Sequence, residues 1–266
     1  MTGKTSTTYC ATLWFGLYIG LLVLNHSVFD GVHFPVLMFA LTFLCLSISV
    51  IGFAWWVNRI DQRFLDWRWP ITLLGGSLLL VFFGPNSTLA APFHGFLLLM
   101  GCTAIGRMLG QHMSDAAHVW PLILVAMSFD LWSVFAAHGM THQLVESAQS
   151  TDAHLLNPLM LTLPIPGFFF SPLLGIGDIL FSGFLMGGVT RLGLSQTRTL
   201  AGLGLGLFFT LVILLVLAIP IPALPILGPT MGFALGSTIK PRRHELLGAL
   251  LFITVGLSLL HFGLAP

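Results

Sequence analysis

The sequence predicts an all-α fold, a polytopic bundle of transmembrane helices, and three observations carry that prediction. Hydrophobic residues fill 56% of the 266 positions and charged residues only 7%, with a mean hydropathy of +0.96, a balance foreign to soluble domains. The apolar residues are gathered into runs of roughly 17 to 25, the length a helix needs to cross a bilayer, and not into the short alternating strands of an outer-membrane barrel. The basic residues, finally, cluster between alternate runs.

Taken in order, the runs define about nine spans, near residues 9–29, 35–57, 69–84, 90–110, 117–138, 169–190, 200–219, 222–238 and 244–263. The first follows Lys4 but is too long for a secretory signal and lacks a small-residue cleavage site, so it counts as a span. The third and eighth are short. If the spans alternate, Lys4, Arg59, Arg63, Arg68, Arg107, Arg191, Arg198, Lys240, Arg242 and Arg243 all fall on one side, and the opposite loops carry no Lys or Arg. The positive-inside rule then puts the N-terminus inside and the C-terminus outside. Trp55, Trp56, Trp67 and Trp69 flank the basic loop after the second span, as an interfacial aromatic belt does.

Cys10, Cys45 and Cys102 lie in apolar runs without paired spacing and read as small buried hydrophobes. The scattered basic residues give no nucleic-acid footprint. The longest connection, about 139–168, begins polar with Glu146 and Asp152 and then turns apolar and proline-marked at Pro158, Pro164 and Pro166. Prolines this dense oppose a regular helix, so an extended or re-entrant segment is expected there.

Of the nine acidic residues, Asp130 and Asp178 alone fall well inside spans. An ionised carboxylate deep in hydrocarbon is costly, and by default marks a functional site. Asp130 sits on the fifth span in Ser128-Phe129-Asp130-Leu131; Asp178 closes Gly175-Ile176-Gly177-Asp178 on the sixth. Counting 1.5 Å per residue puts both roughly 12 to 14 Å below the outer surface, on consecutive antiparallel helices. Two carboxyls so placed should share a proton, one serving as general base and the other as general acid. The same pair would also suit a proton or cation pathway. Glycines 175 and 177 leave room for a backbone or a substrate beside the second acid. On the same outer side, Pro220, Pro222 and Pro225 mark the turn between the seventh and eighth spans, where proline frees backbone groups to face a neighbouring cleft.

At these three places the chain resembles the presenilin and signal peptide peptidase family of intramembrane aspartyl proteases. The family's signatures are an aromatic-Asp pair, Gly-x-Gly-Asp on the next span, and Pro-Ala-Leu two spans later. Here they read Phe129-Asp130, Gly175 to Asp178, and Pro222-Ala223-Leu224. The resemblance covers about 117–239 and implies a prokaryotic presenilin-like homologue, with Asp130 and Asp178 catalytic and Gly175, Gly177, Pro222, Ala223 and Leu224 bordering the substrate. It implies no cofactor or metal, and as partners the lipid bilayer and transmembrane client proteins or signal peptides. Two departures stand out. Phe129 replaces the family's usual tyrosine, and the acids lie on the fifth and sixth spans, not the sixth and seventh, with an additional helix after Pro-Ala-Leu. The short connection between the aspartate spans argues against presenilin-like autocleavage.

The chain thus divides into an N-terminal membrane region (1–116, about four spans), a catalytic core (117–239) and a C-terminal span (240–266). The expected function is intramembrane aspartic endopeptidase, in a prokaryotic cell (inner) membrane. The alternative is a proton- or metal-coupled transporter using the same acids, although the internal repeat such a transporter favours is not evident. A prepilin-peptidase-like enzyme shares Gly-x-Gly-Asp but not Pro-Ala-Leu, and a client-binding protein without catalysis would need only the cleft. His138, His142 and Glu146 recur at four-residue spacing near Asp152 and His154. That suggests an external metal site or, preferably, a solvated helix end, since no His-Glu-x-x-His motif accompanies them. Gly183 with Gly187, and Gly202 with Gly206, have the spacing of helix-packing pairs.

Overall fold

The computed structural model describes residues 2–28, 35–59, 67–83, 90–136, 139, 143, 160–163, 171–217, 222–236 and 239–263. Among them are nine α-helices: α1 (Thr2–Val28), α2 (Pro35–Arg59), α3 (Arg68–Phe83), α4 (Ala90–Gly110), α5 (Val119–Phe135), α6 (Ile176–Arg191), α7 (Gln196–Leu217), α8 (Leu224–Leu235) and α9 (Arg243–Gly263). A short 3-10 turn, Ala116–His118, leads into α5. One antiparallel sheet of two strands, β1 (Met160–Leu163) and β2 (Ser171–Gly175), interrupts the helices. Four stretches, Phe39–Arg59, Ala90–Gly110, Ala116–Phe135 and Gln196–Leu214, are long and apolar enough to cross a membrane.

Several hydroxyls inside these apolar helices satisfy themselves on the preceding turn. Ser47 donates to the Phe43 carbonyl at 2.8 Å, Thr103 to Leu99 at 2.6 Å and Ser182 to Asp178 at 2.8 Å, so none needs a partner from a neighbouring helix. The close packing is made by glycine. A Cβ added at Gly183 would stand 2.9 Å from Thr103 Cα, and one at Gly187 2.8 Å from Arg107 Cα. Reciprocally, a Cβ at Gly106 would stand 2.8 Å from the Phe184 nitrogen and one at Gly110 2.7 Å from that of Gly188. α4 and α6 therefore touch backbone to backbone through small residues on both sides, which maximises dispersion contact where no water drives association. Gly202 and Gly206 do the same for α7 against Met231, Thr230 and Leu227 of α8.

The residues in contact also give helix directions. α4 and α6 run the same way, since Thr103 meets Gly183 and Arg107 meets Gly187. α3 and α4 run oppositely, with Gly76 near Leu97 and Ser77 Oγ 2.7 Å from His94 Nδ1 in the buried interface. α5 opposes α8, where Ile123, Met127 and Trp120 pack over Gly228 and Gly232. α6 ends in a Schellman turn: Gly193 at φ 67° allows Leu194 N–H to reach the Val189 carbonyl at 2.9 Å and Gly193 N–H that of Thr190 at 3.3 Å.

Several sequence expectations need correction. The sixth helix starts at Ile176 and not near 169, because 171–175 form β2; Pro172 lies in that strand, opposite Thr162, where a missing N–H is tolerated at a sheet edge. The eighth is a helix of 12 residues, Leu224–Leu235, shorter than expected, with Pro225 in its first turn and Gly236 ending it at φ 62°. Arg107 lies inside the fourth helix, as the span 90–110 predicts. It is 3% exposed within α4 and donates from Nη1 to the Val57 carbonyl at the end of α2. The tryptophan belt is partial, since Trp55, Trp67 and Trp69 are exposed but Trp56 is buried in the core. Trp55 carries the Arg59 guanidinium 4.3 Å over its ring. Cys45 and Cys102 are free thiols, and only Cys102 is fully buried.

Candidate active site

β2 delivers the chain directly into α6, and the second acidic residue sits at that junction. β1 and β2 pair Met160 with Gly175 and Leu161 with Leu174, then shift register before Thr162 meets Pro172. Leu161 and Leu174 are buried, and Leu161 rests on Gly95 of α4 beside Trp14, whose Nε1 donates to the Pro92 carbonyl at 2.8 Å. The hairpin is thereby fixed to α1 and α4. Gly175, extended at φ −75° and ψ 153°, is the N-cap of α6.

Asp178 is the third residue of α6 and reaches back, its Oδ2 accepting the Gly175 N–H at 3.3 Å. It is therefore not deep within a continuous helix, as the sequence count suggested, but in a first turn, where exposed N–H groups favour negative charge. The side chain is buried, and its Oδ1 has no hydrogen-bond partner among the described residues. Gly177, one residue earlier, is exposed, and a Cβ there would meet nothing within 4 Å. Gly175 is half-buried, and a Cβ there would lie 3.6 Å from Asp178 Oδ2.

Asp130, half-buried on α5, reaches a different helix start. Its Oδ2 accepts the backbone N–H of Leu224 at 3.0 Å. Leu224 is the first residue of α8, so a carboxylate from α5 caps α8 from outside the helix. Pro222, Ala223 and Leu224 are all buried. Ala223 also accepts from the N–H groups of Ile226 at 3.0 Å and Leu227 at 2.9 Å. The proline-marked turn was expected to present free backbone; the group that meets the acid is an N–H donor, which sequence reasoning did not single out.

The two carboxyls are close enough to act on each other as charges. They nevertheless belong to different packing groups. Among the described residues α5 is held mainly by α8 and α9, α6 by α4, α2 and α7, and α5 and α6 share no extensive contact. The acids thus stand on helices that do not pack extensively against each other, and the exposed Gly177 is the chain neighbour of Asp178. Each is positioned by one backbone N–H, one from Gly-x-Gly-Asp and one from Pro-Ala-Leu.

His138, His142, Glu146, Asp152 and His154 lie outside the described residues, and among the described ones no group of three His, Cys, Asp or Glu could hold a metal ion. No family model, curated protein or solved structure matches the chain.

Proposed function

We propose that this chain is an intramembrane aspartic endopeptidase of the presenilin and signal peptide peptidase kind. The observation that carries the reading is that each acid is oriented by a backbone N–H from a motif: Asp130 by the Leu224 N–H of Pro-Ala-Leu, and Asp178 by the Gly175 N–H of Gly-x-Gly-Asp. Among the three motifs, Phe129-Asp130 and Pro-Ala-Leu are joined by the first of these bonds, and Gly-x-Gly-Asp supplies both the carboxyl and the donor of the second.

The chemistry follows from a shared proton. With one carboxyl ionised and one protonated, the ionised group takes a proton from water as the oxygen attacks the client's peptide carbonyl carbon. The protonated group gives its proton to the carbonyl oxygen, leaving a neutral tetrahedral diol. Return of a proton to the amide nitrogen, with loss of one from the diol hydroxyl, breaks the C–N bond and restores the pair. A helical client must first unwind, because its carbonyls are occupied within the helix. Among the described residues the sheet beside Asp178 has only two strands, and an extended client segment would add to an outer edge by main-chain hydrogen bonds. Substrate lies against Gly175, Gly177, Pro222, Ala223 and Leu224.

The chain crosses the membrane nine times, N-terminus inside, and the observed directions of the helix pairs α3/α4, α4/α6 and α5/α8 fit that alternation. Clients are membrane proteins or signal peptides with inward N-termini, and the location is a prokaryotic cell membrane. The deciding experiment is cleavage of a labelled single-span peptide by detergent-purified protein, wild type against Asp130→Asn and Asp178→Asn. Cleavage lost in both, with the fold retained, supports the dyad; equal cleavage by all three refutes it. Proton flux through liposomes holding the same proteins, lost in the variants in the absence of cleavage, would favour the transporter instead.

A further inference from the structure

We infer that α9, the helix that follows Pro-Ala-Leu and its α8, is a brace that positions Asp130, acting through Gly256 and Phe252 on the ring of Phe129; the inference rests on the protease reading only for its kinetic consequence. α9 packs mainly on α5. Along α9 the more buried stripe is Leu246, Ala249, Ile253 and Gly256, of which Ala249 is buried and the others half-buried, while Leu247, Leu250, Leu251, Phe252 and Val255 are exposed. This three-and-four spacing with small residues at 249 and 256 lets α9 lie close along α5.

Two contacts fix the pair. At the inner ends, the residues that start α5 hold those that start α9. Arg242 Nη2 donates to Asp115 Oδ2 at 2.6 Å, and His118 Nε2 lies 3.4 Å from Glu245 Oε1. Asp115 also caps the turn into α5, accepting the Ala117 N–H at 3.0 Å. Further along, the tip of the Phe129 ring stands over Gly256, where a Cβ would lie 3.0 Å from Phe129 Cζ, and the Phe129 and Phe252 ring centroids are 6.0 Å apart. α5 and α9 thus run parallel, joined at their starts and again at the residue next to Asp130. With phenylalanine at 129, no hydroxyl fastens the aromatic ring beside the acid; packing against α9 does so.

Gly256 and Phe252 are positioning residues, and the test reads Asp130 directly. In full-length protein carrying Asp178→Asn, the rate at which a hydrophobic carbodiimide modifies Asp130 is measured by peptide mapping. Gly256→Leu, which must displace the ring, is expected to change that rate by about threefold or more, while Leu251→Ala on the exposed face leaves it unchanged. With Asp178 intact, kcat falls about tenfold in Gly256→Leu at near-constant KM, and Gly256→Ala recovers most of it. Folded Gly256→Leu protein modified at the wild-type rate overturns the inference. If Gly256→Leu does not fold, Phe252→Ala decides, since it removes the ring contact without overlap; an unchanged rate there overturns the inference equally. The modification rate needs no peptidase activity, so a chain that cleaves nothing would refute the protease reading and leave the brace to be judged on its own.

Discussion

The backbone N–H of Leu224 and the Oδ2 of Asp130 are joined by a 3.0 Å hydrogen bond that links residues 94 positions apart. It makes the start of α8 depend on a side chain of α5, so the first acid has a structural role separable from any chemistry. Asp130→Asn keeps an oxygen acceptor for that N–H, and is expected to retain the fold while peptide cleavage falls on the order of a thousandfold. Asp130→Leu leaves the donor without its acceptor and is expected to cost about 1 to 3 kcal/mol as well. Denaturation midpoints of the two variants in one detergent check the difference. Equal midpoints would mean that the bond does not hold α8.

Glycines 183 and 177 should separate packing from access. At Gly183 an added Cβ would overlap the Thr103 backbone, whereas at Gly177 it would meet nothing within 4 Å. Gly183→Ala is therefore expected to destabilise the protein by about 1 to 3 kcal/mol or more. Gly177→Ala should leave the unfolding midpoint unchanged, yet raise KM for a transmembrane client if substrate lies beside Asp178. Thermal unfolding and KM, measured on the same two preparations, give the answer.

Sidedness is testable without any activity. Single cysteines replacing Arg191, Arg198 and Lys240, all exposed, are expected to react with a membrane-impermeant maleimide only after permeabilisation, in a background lacking the native cysteines. A cysteine at Gln143, also exposed, should react in intact cells. Labelling of the basic positions from outside would reverse the assigned orientation and with it the class of client.

The helices were legible because hydropathy acts residue by residue; even the short third and eighth runs fold as helices. The acids and their glycine and proline neighbours were legible because a buried carboxylate is rare enough to stand out against an apolar background. What sequence could not supply was pairing. Extended backbone at 171–175 was hidden because Ser171-Pro172-Leu173-Leu174-Gly175 is as apolar as the helix it precedes, and short apolar runs do not distinguish strand from helix. Only Pro172 hinted at the break. The Gly106 and Gly110 partners of Gly183 and Gly187 were unread because packing partners lie far apart in the chain. At Phe129 the sequence shows a lost hydroxyl; that its ring stands over Gly256 is a tertiary fact with no local signal.

Asp115 provides the pH dependence. The Ala117 backbone N–H holds its carboxyl below the ordinary carboxylate range; burial opposes it, and the neighbouring Arg242 and His118 side chains add to the lowering. A group whose folded value lies below its unfolded one contributes stability that is complete above the unfolded value, about 3.9 for aspartate. The contribution drains away as pH falls from there through the folded value. Wild type should therefore exceed Asp115→Asn in unfolding temperature by a constant margin from neutral pH down to about pH 5, and the margin should shrink below about pH 4. Because the group is partly exposed and its partner Arg242 largely so, added salt should narrow the neutral-pH margin too. A margin that ignores both acid and salt would assign the effect of Asp115 to its hydrogen bond with Ala117, which asparagine would be replacing imperfectly, and not to its charge.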